Sequence, residues 1–318
     1  EIAQCLVGSE MCIRDRLYDG ISRMAVPLFM IVSAYLLVPM REGQTAMQFY
    51  RRRASRILPA LLLFMVIYST VPMLWNQIDI ATSRSDISRL LLNFPTLAGH
   101  LWFMYPLIGL YLFIPIISPW LTKVPASEER LFIILFAVST CMPYLSRFFG
   151  EIWGQCFWNE FHILWYFSGY LGYLVLAHYI RVHLDWSRGK RMGIGTLLFL
   201  TGAIWTILSF YIQAVPGILH NTPTIEVGWA FCTINCLMLT SGAFLLFTCI
   251  KRTHTPRLIA EMSRLSYGMY LMHILWLGLW VRIFKDDMQL ATPVCIPVIA
   301  TATFISLSLI HISEPTRH

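Results

Sequence analysis

The sequence predicts an all-α polytopic integral membrane protein, a single bundle of about nine transmembrane helices, and three observations predict it. Charged residues make up 13% of the chain and hydrophobic ones 57%, with a mean hydropathy of +0.62. An ordinary soluble domain carries roughly 25% charge, so about half of it is missing and no sizeable soluble domain fits. Apolar stretches close to the ~20 residues that cross a bilayer recur along the whole length. The basic residues, finally, collect in every second loop.

The apolar stretches lie at about 21–40, 57–75, 101–120, 131–147, 161–180, 193–213, 229–249, 266–284 and 292–306. Polar or turn-forming segments separate them, such as Pro125-Ala126-Ser127-Glu128-Glu129-Arg130 and Asn221-Thr222-Pro223. No long linker, low-complexity run or internal repeat interrupts the series, so one domain is expected.

One set of alternate loops holds fifteen Lys and Arg residues, among them Arg41, Arg51–Arg53, Arg56, Arg130, Arg188 and Arg257. The other set holds five: Arg84, Arg89, Arg147, Arg282 and Lys285. The positive-inside bias therefore puts the Arg51–Arg56 side in the cytoplasm and the 76–100, 148–160, 214–228 and 285–291 loops outside. Because the basic residues sit at membrane edges, the net charge of +7 reads as topology rather than nucleic-acid binding.

The two ends read differently from the rest. DNA that encodes Leu6–Arg16 has a reverse complement that encodes Leu307–Thr316, a relation unrelated termini should not have, and the string resembles a sequencing-library adapter. Residues 1–16 and 307–318 are therefore expected to be adapter-derived, and 17–306 to be a membrane domain truncated at both ends. Cys5 and Cys12 fall in the first of these strings. The remaining cysteines form neither a disulfide framework nor a zinc pattern; Cys232 and Cys236 share a helix face as packing residues, and no metal set is expected.

Four arginines precede the second stretch, in Arg51-Arg52-Arg53-Ala54-Ser55-Arg56-Ile57-Leu58-Pro59. The expectation is a helix that begins there, with Pro59 in its first turn. Arg52, Arg53 and Arg56 then share a face at spacings of three and four. Guanidinium forks and a helix N-terminus both favour phosphate oxygens; an anchor on anionic lipid is the plainer use of the same charge.

Two histidines are candidate proton carriers. His100 precedes Leu101-Trp102-Phe103-Met104-Tyr105-Pro106 at the outer end of the third stretch, and near-neutral titration suits it as a general base toward a hydroxyl. Trp102 and Tyr105 are expected on one helix side as a stacking surface for a sugar, or as an interfacial belt. His273 lies inside a stretch, roughly 10 Å below the cytoplasmic surface at 1.5 Å per residue, with Tyr270 on its face. An intramembrane ionisable group is functional by default. Arg23, Ser33, Glu160 and His162 are weaker candidates. Asn235 reads as interhelical glue, and Ser168 with Gly172 as a close helix contact.

These residues, taken together, resemble the membrane-bound acyltransferase type 3 family, and within it the branch that contains enterobacterial common antigen O-acetyltransferase. The resemblance rests on Ser22-Arg23-Met24-Ala25-Val26-Pro27-Leu28-Phe29 with Ser33, on Arg53–Pro59, on His100–Pro115 and on Ile259–His273. It departs from the family at Ala34, where a glycine usually follows the serine. It implies about ten helices, one more than the nine read, and a catalytic histidine in a helix preceding the first stretch. The implied reaction moves an acyl group, usually acetyl, from cytoplasmic acyl-CoA to a hydroxyl of a surface or lipid-linked carbohydrate. Arg53 and Arg56 would hold CoA phosphates, and a bacterial inner-membrane location follows. No metal and no nucleic acid are implied. A transporter or flippase for a polysaccharide or lipid-linked sugar is the alternative that polytopic helices with an intramembrane histidine leave open.

Overall fold

The computed structural model describes residues 18, 20–214, 227–250, 255–288 and 292–312. Most of the 214–228 loop, Lys251, Arg252 and the 1–16 string lie outside them. Among the described residues the structure is helical, with one isolated bridge between Cys156 and Asn159. The helices are α1 (Ala25–Leu37), α2 (Ala46–Thr70), α3 (Ile80–Ser88), α4 (Met104–Lys123), α5 (Ala126–Ser139), α6 (Met142–Phe149), α7 (Tyr170–Val182), α8 (Arg188–Ala214), α9 (Ile234–Thr248), α10 (Arg257–Val281) and α11 (Thr292–Ile312). Among the described residues seven helical segments are long and apolar enough to cross a membrane, and an eighth, Val294–Ser308, is shorter. The protein is an all-α, multi-pass membrane protein.

Large side chains such as Leu36, Leu63, Ile116, Leu197 and Leu208 point outward, whereas Ser69, Ser118, Thr206, Asn235 and Thr240 are buried. That arrangement inverts the soluble pattern because lipid tails are as apolar as leucine. Helices in lipid gain instead from close backbone approach and polar contacts between them.

Two of the expected spans change. The 161–180 stretch is helical only from Tyr170, over 13 residues, or about 20 Å, too short for a ~30 Å hydrocarbon core. Gly150, Gly154 and Gly169 take positive φ of 74°, 91° and 77°, a backbone that leaves the helical region. The aromatic run ahead of Tyr170 therefore forms a looped segment, with Phe157, Trp158 and Tyr166 exposed.

The second change concerns α2, which starts at Ala46 rather than near Ile57. Pro59 is thus an interior residue, and Arg52, Arg53 and Arg56 lie roughly 9–15 Å along the helix. The helix-end charge expected to assist them fades within the first turn. Any anion site there depends on the guanidinium groups themselves.

The chain divides into two compact units. The described part of the first comes from Ala46–Pro106 and Arg252–His318, the second from Cys12–Thr45 and Leu107–Lys251. In the first unit α10 packs on α11 and on α2. Tyr267 donates to the Ile57 carbonyl at 2.8 Å and Tyr68 to the Leu271 carbonyl at 2.8 Å. Both links rise together along α2 and α10, so these helices run in the same direction.

In the second unit α8 and α9 share the most extensive interface. Glycine makes it possible: a Cβ at Gly242 would stand 2.4 Å from the Phe199 nitrogen, and one at Gly202 2.5 Å from the Leu239 nitrogen. Asn235 ties the same region by donating to Thr206 Oγ1 at 2.9 Å and the Gly228 carbonyl at 3.1 Å, and by accepting from Tyr144 at 2.9 Å. This is the glue expected of it. Of Ser168 and Gly172, only Gly172 lies in α7, where a Cβ would stand 2.1 Å from the Phe136 ring; Ser168 precedes the helix in extended backbone.

Candidate functional site

The first unit gathers a cluster of rings from three segments. His100 comes from the short 3-10 turn Gly99–Phe103 that leads into α4, Tyr68 from the last turn of α2, and Tyr270 and His273 from α10. The His100 and His273 rings lie edge to face with centroids 4.9 Å apart. Tyr68 stands 5.1 Å and Tyr270 5.9 Å from the His100 ring, and Phe103 stands 5.9 Å from Tyr270. Edge-to-face packing at these separations suits the ring quadrupoles.

This meeting corrects one expectation. His273 was read as near the cytoplasmic surface and His100 as at the outer end of its span, which would hold them apart. Because α10 begins at Arg257, His273 lies 16 residues along it, about 24 Å from its start at 1.5 Å per residue. At that position along α10 it meets the His100 ring.

Hydrogen bonding separates the roles of the two imidazoles. His273 Nδ1 contacts the Tyr270 carbonyl. A carbonyl only accepts, so Nδ1 carries the proton of the neutral ring and Nε2 keeps the basic lone pair. His100 is 4% exposed, and among the described residues neither of its ring nitrogens closes a hydrogen bond of good geometry, although the Leu271 carbonyl lies close enough to interact. Its backbone carbonyl accepts from the Tyr270 hydroxyl, which fixes the turn against α10. Buried imidazole nitrogens that close no hydrogen bond of good geometry are costly and uncommon in a resting core. Here the ring faces another imidazole.

The arginines belong to the same unit and the same helix. Arg52 and Arg56 are exposed and Arg53 is half-buried, its guanidinium 5.5 Å from the centre of the Phe49 ring. Arg56 precedes Tyr68 by 12 residues, about 18 Å along the helix axis. One helix thus presents an anion-binding chemistry near one end and an imidazole cluster near the other.

The other sequence candidates are dispersed. Trp102 lies against Phe103 with centroids 6.2 Å apart, and Tyr105 against Phe94 at 6.0 Å; the helix proper starts only at Met104, so the two do not extend one regular α-helical face. Arg23 and Glu160 lie in the second unit. Arg23 stacks over Trp229 at 4.4 Å and near Phe231 at 5.6 Å. Glu160 is exposed in the aromatic loop, its backbone carbonyl accepting from Gln155 at 3.5 Å. Sequence reasoning missed Tyr68. Its signal is a tyrosine twelve residues past Arg56 on a largely apolar span, where a buried hydroxyl needs a partner.

The second unit holds a further polar group, Glu129 with His178 and His183. Among the described residues no cysteine forms a disulfide, and Cys236 is fully buried with its sulfur 3.5 Å from the Arg23 carbonyl.

The comparisons with known proteins give one match. A family model described as an acyltransferase domain, Acyl_transf_3, covers residues 8–312. No curated protein and no solved structure matches the chain. The match takes in almost the whole sequence and both units, and the chain therefore belongs to this acyltransferase family as a multi-pass membrane acyltransferase.

Proposed function

We propose that the protein is a membrane O-acyltransferase of the branch that contains enterobacterial common antigen O-acetyltransferase. It takes an acyl group, acetyl first among the candidates, from cytoplasmic acyl-CoA and passes it to a hydroxyl of a cell-surface or lipid-linked carbohydrate at the bacterial inner membrane. The observation that carries this reading is the edge-to-face contact between His100 and His273, with His273 Nδ1 against the Tyr270 carbonyl.

In this reading His273 Nε2 accepts the hydroxyl proton as the oxygen attacks the thioester carbon. The new C–O bond forms, the C–S bond breaks, and the imidazolium returns its proton to the departing thiolate. His100, in edge-to-face contact, steadies the charge that develops on its neighbour. Exclusion of water favours transfer over hydrolysis of the thioester. Arg53 and Arg56, with Arg52 beside them, hold the phosphates of the donor by charge-assisted hydrogen bonds. The roughly 18 Å along α2 then corresponds to the reach of a long, thin acyl-bearing arm. Trp102, Tyr105, Tyr270, Arg23 and Glu160 remain candidates for holding the acceptor.

The test is binding of acetyl-CoA and succinyl-CoA to the purified chain, before and after replacement of Arg53 and Arg56 together by alanine. Binding that is lost in the double variant supports the donor assignment. Binding that is absent from the wild type, or unchanged in the variant, removes it, and the former result favours the transporter alternative.

A further inference from the structure

Glu129 in the first turn of α5 is fully buried, at 0% exposure. It presents one carboxylate oxygen to each of two imidazoles: Oε1 lies 2.9 Å from His178 Nδ1, and Oε2 lies 3.1 Å from His183 Nε2. His178 sits in α7 and is 2% exposed; His183 caps the end of that helix. The second contact is short but does not close a hydrogen bond, and both of its atoms are buried without a hydrogen-bond partner among the described residues. Two lone-pair donors side by side in that way share no proton along their line.

The charge balance makes the same point. A carboxylate removed from water is expensive unless something positive meets it. The nearby arginines of this edge are engaged elsewhere: Arg181 with the Tyr35 and Val38 carbonyls, Arg191 with the Leu184 and Trp186 carbonyls. The acceptor atoms of the three side chains lie within 4.8 Å of one another. Two imidazole nitrogens and a carboxylate are the donor set of a borderline-soft divalent cation, bound at about 2.0–2.2 Å. Ligands at that distance around a tetrahedral ion stand roughly 3.4 Å apart, so binding would draw the three side chains together from their span of up to 4.8 Å. The spacing His178-x4-His183 falls in the H-x3–5-H range of zinc ligand pairs.

We propose that Glu129, His178 and His183 form a binding site for a divalent transition-metal cation, Zn2+ being the best chemical fit. The cation clips the start of α5 to the end of α7 within the second unit. His183 is 22% exposed as a side chain, although its Nε2 and Glu129 Oε2 are buried. The site uses none of the residues assigned to acyl transfer, so it stands or falls separately from that reading.

The experiment uses the full chain in detergent, stripped with a chelator and titrated with Zn2+ alone, with metal content and unfolding temperature as readouts. About one Zn2+ retained per chain and an unfolding temperature raised by a few degrees at saturation are expected, because a ligand that binds only the folded state stabilises it. Both effects should be lost in Glu129→Gln and in His183→Gln. If Glu129→Gln fails to fold, His183→Gln at the half-buried helix end decides. No retained Zn2+ with an unchanged unfolding temperature overturns the proposal, as does equal retention by wild type and His183→Gln.

Discussion

Each unit brings together a pair of histidines, one buried and one half-buried, and the company they keep differs. His178 and His183 meet a carboxylate, Glu129, that takes one imidazole on each oxygen. His100 and His273 meet each other, two tyrosine rings and backbone carbonyls. A carboxylate fixes an imidazole's orientation and favours its charged or metal-bound form. Neutral rings leave the basicity of a nitrogen open to a reacting partner. The same side chain is therefore suited to holding a cation in one unit and to moving a proton in the other.

The largest effect that could break this contrast is on catalysis. His273→Ala should lower the rate of acyl transfer by roughly 100- to 10,000-fold, the range for loss of a general base, with donor affinity unchanged. An equal rate in the variant would end the distinction between the pairs. The double change of Arg53 and Arg56 to alanine should weaken donor binding by roughly 100-fold or more, since hydrogen bonds to charged groups contribute about 1.5–3 kcal/mol each. The loss should appear in donor affinity, which titration with acyl-CoA reads directly.

On the other side, Glu129→Ala should destabilise the protein by about 3–5 kcal/mol, the usual effect of breaking a buried charged contact, while leaving the affinity for acyl-CoA intact. A chemical or thermal unfolding series checks it. Tyr68→Phe should be milder, about 1–2 kcal/mol, because it removes one buried hydrogen bond and leaves the Leu271 carbonyl short of a donor. Preserved transfer in this variant would limit Tyr68 to holding the pocket together.

The smallest effect lies outside both pairs. Asp79 accepts from the Thr82 backbone at 2.8 Å at the start of α3, and hydrogen bonds from the Thr82 side chain and backbone hold its carboxylate below the usual range. A depressed folded value means the cap contributes fully above the unfolded carboxylate range of about 4. Its contribution falls away as the pH drops through the lowered folded value. Amide exchange at Thr82 should accelerate there, with both histidine pairs' neighbourhoods unaffected by this cap.

Most helices were legible because hydrophobic length is a direct consequence of the bilayer. The misreadings have physical causes. Hydropathy sees only the apolar part of α2, so the amphipathic turn from Ala46 to Tyr50 escaped it. It also counts Phe161, Trp165 and Phe167 as apolar, although the helix begins only at Tyr170, after the positive-φ Gly169. The chemistry was legible one residue at a time: His100, His273 and the arginines stand out as costly groups in lipid. Their meeting was not, because the depth of His273 depends on where α10 begins. Glu129 was hidden inside a polar turn that looked like an ordinary loop, and only the tertiary contact of α5 with α7 gives the His178-x4-His183 spacing its third ligand.

The most direct test of the account is transfer itself. Membranes carrying the chain are supplied with labelled acetyl-CoA on the arginine side, and label is followed into lipid-linked and polymeric carbohydrate for wild type and His273→Ala. Label in carbohydrate that vanishes in the variant is the predicted result. Equal labelling in both would contradict the assignment of the His100–His273 cluster as the acyl-transfer site.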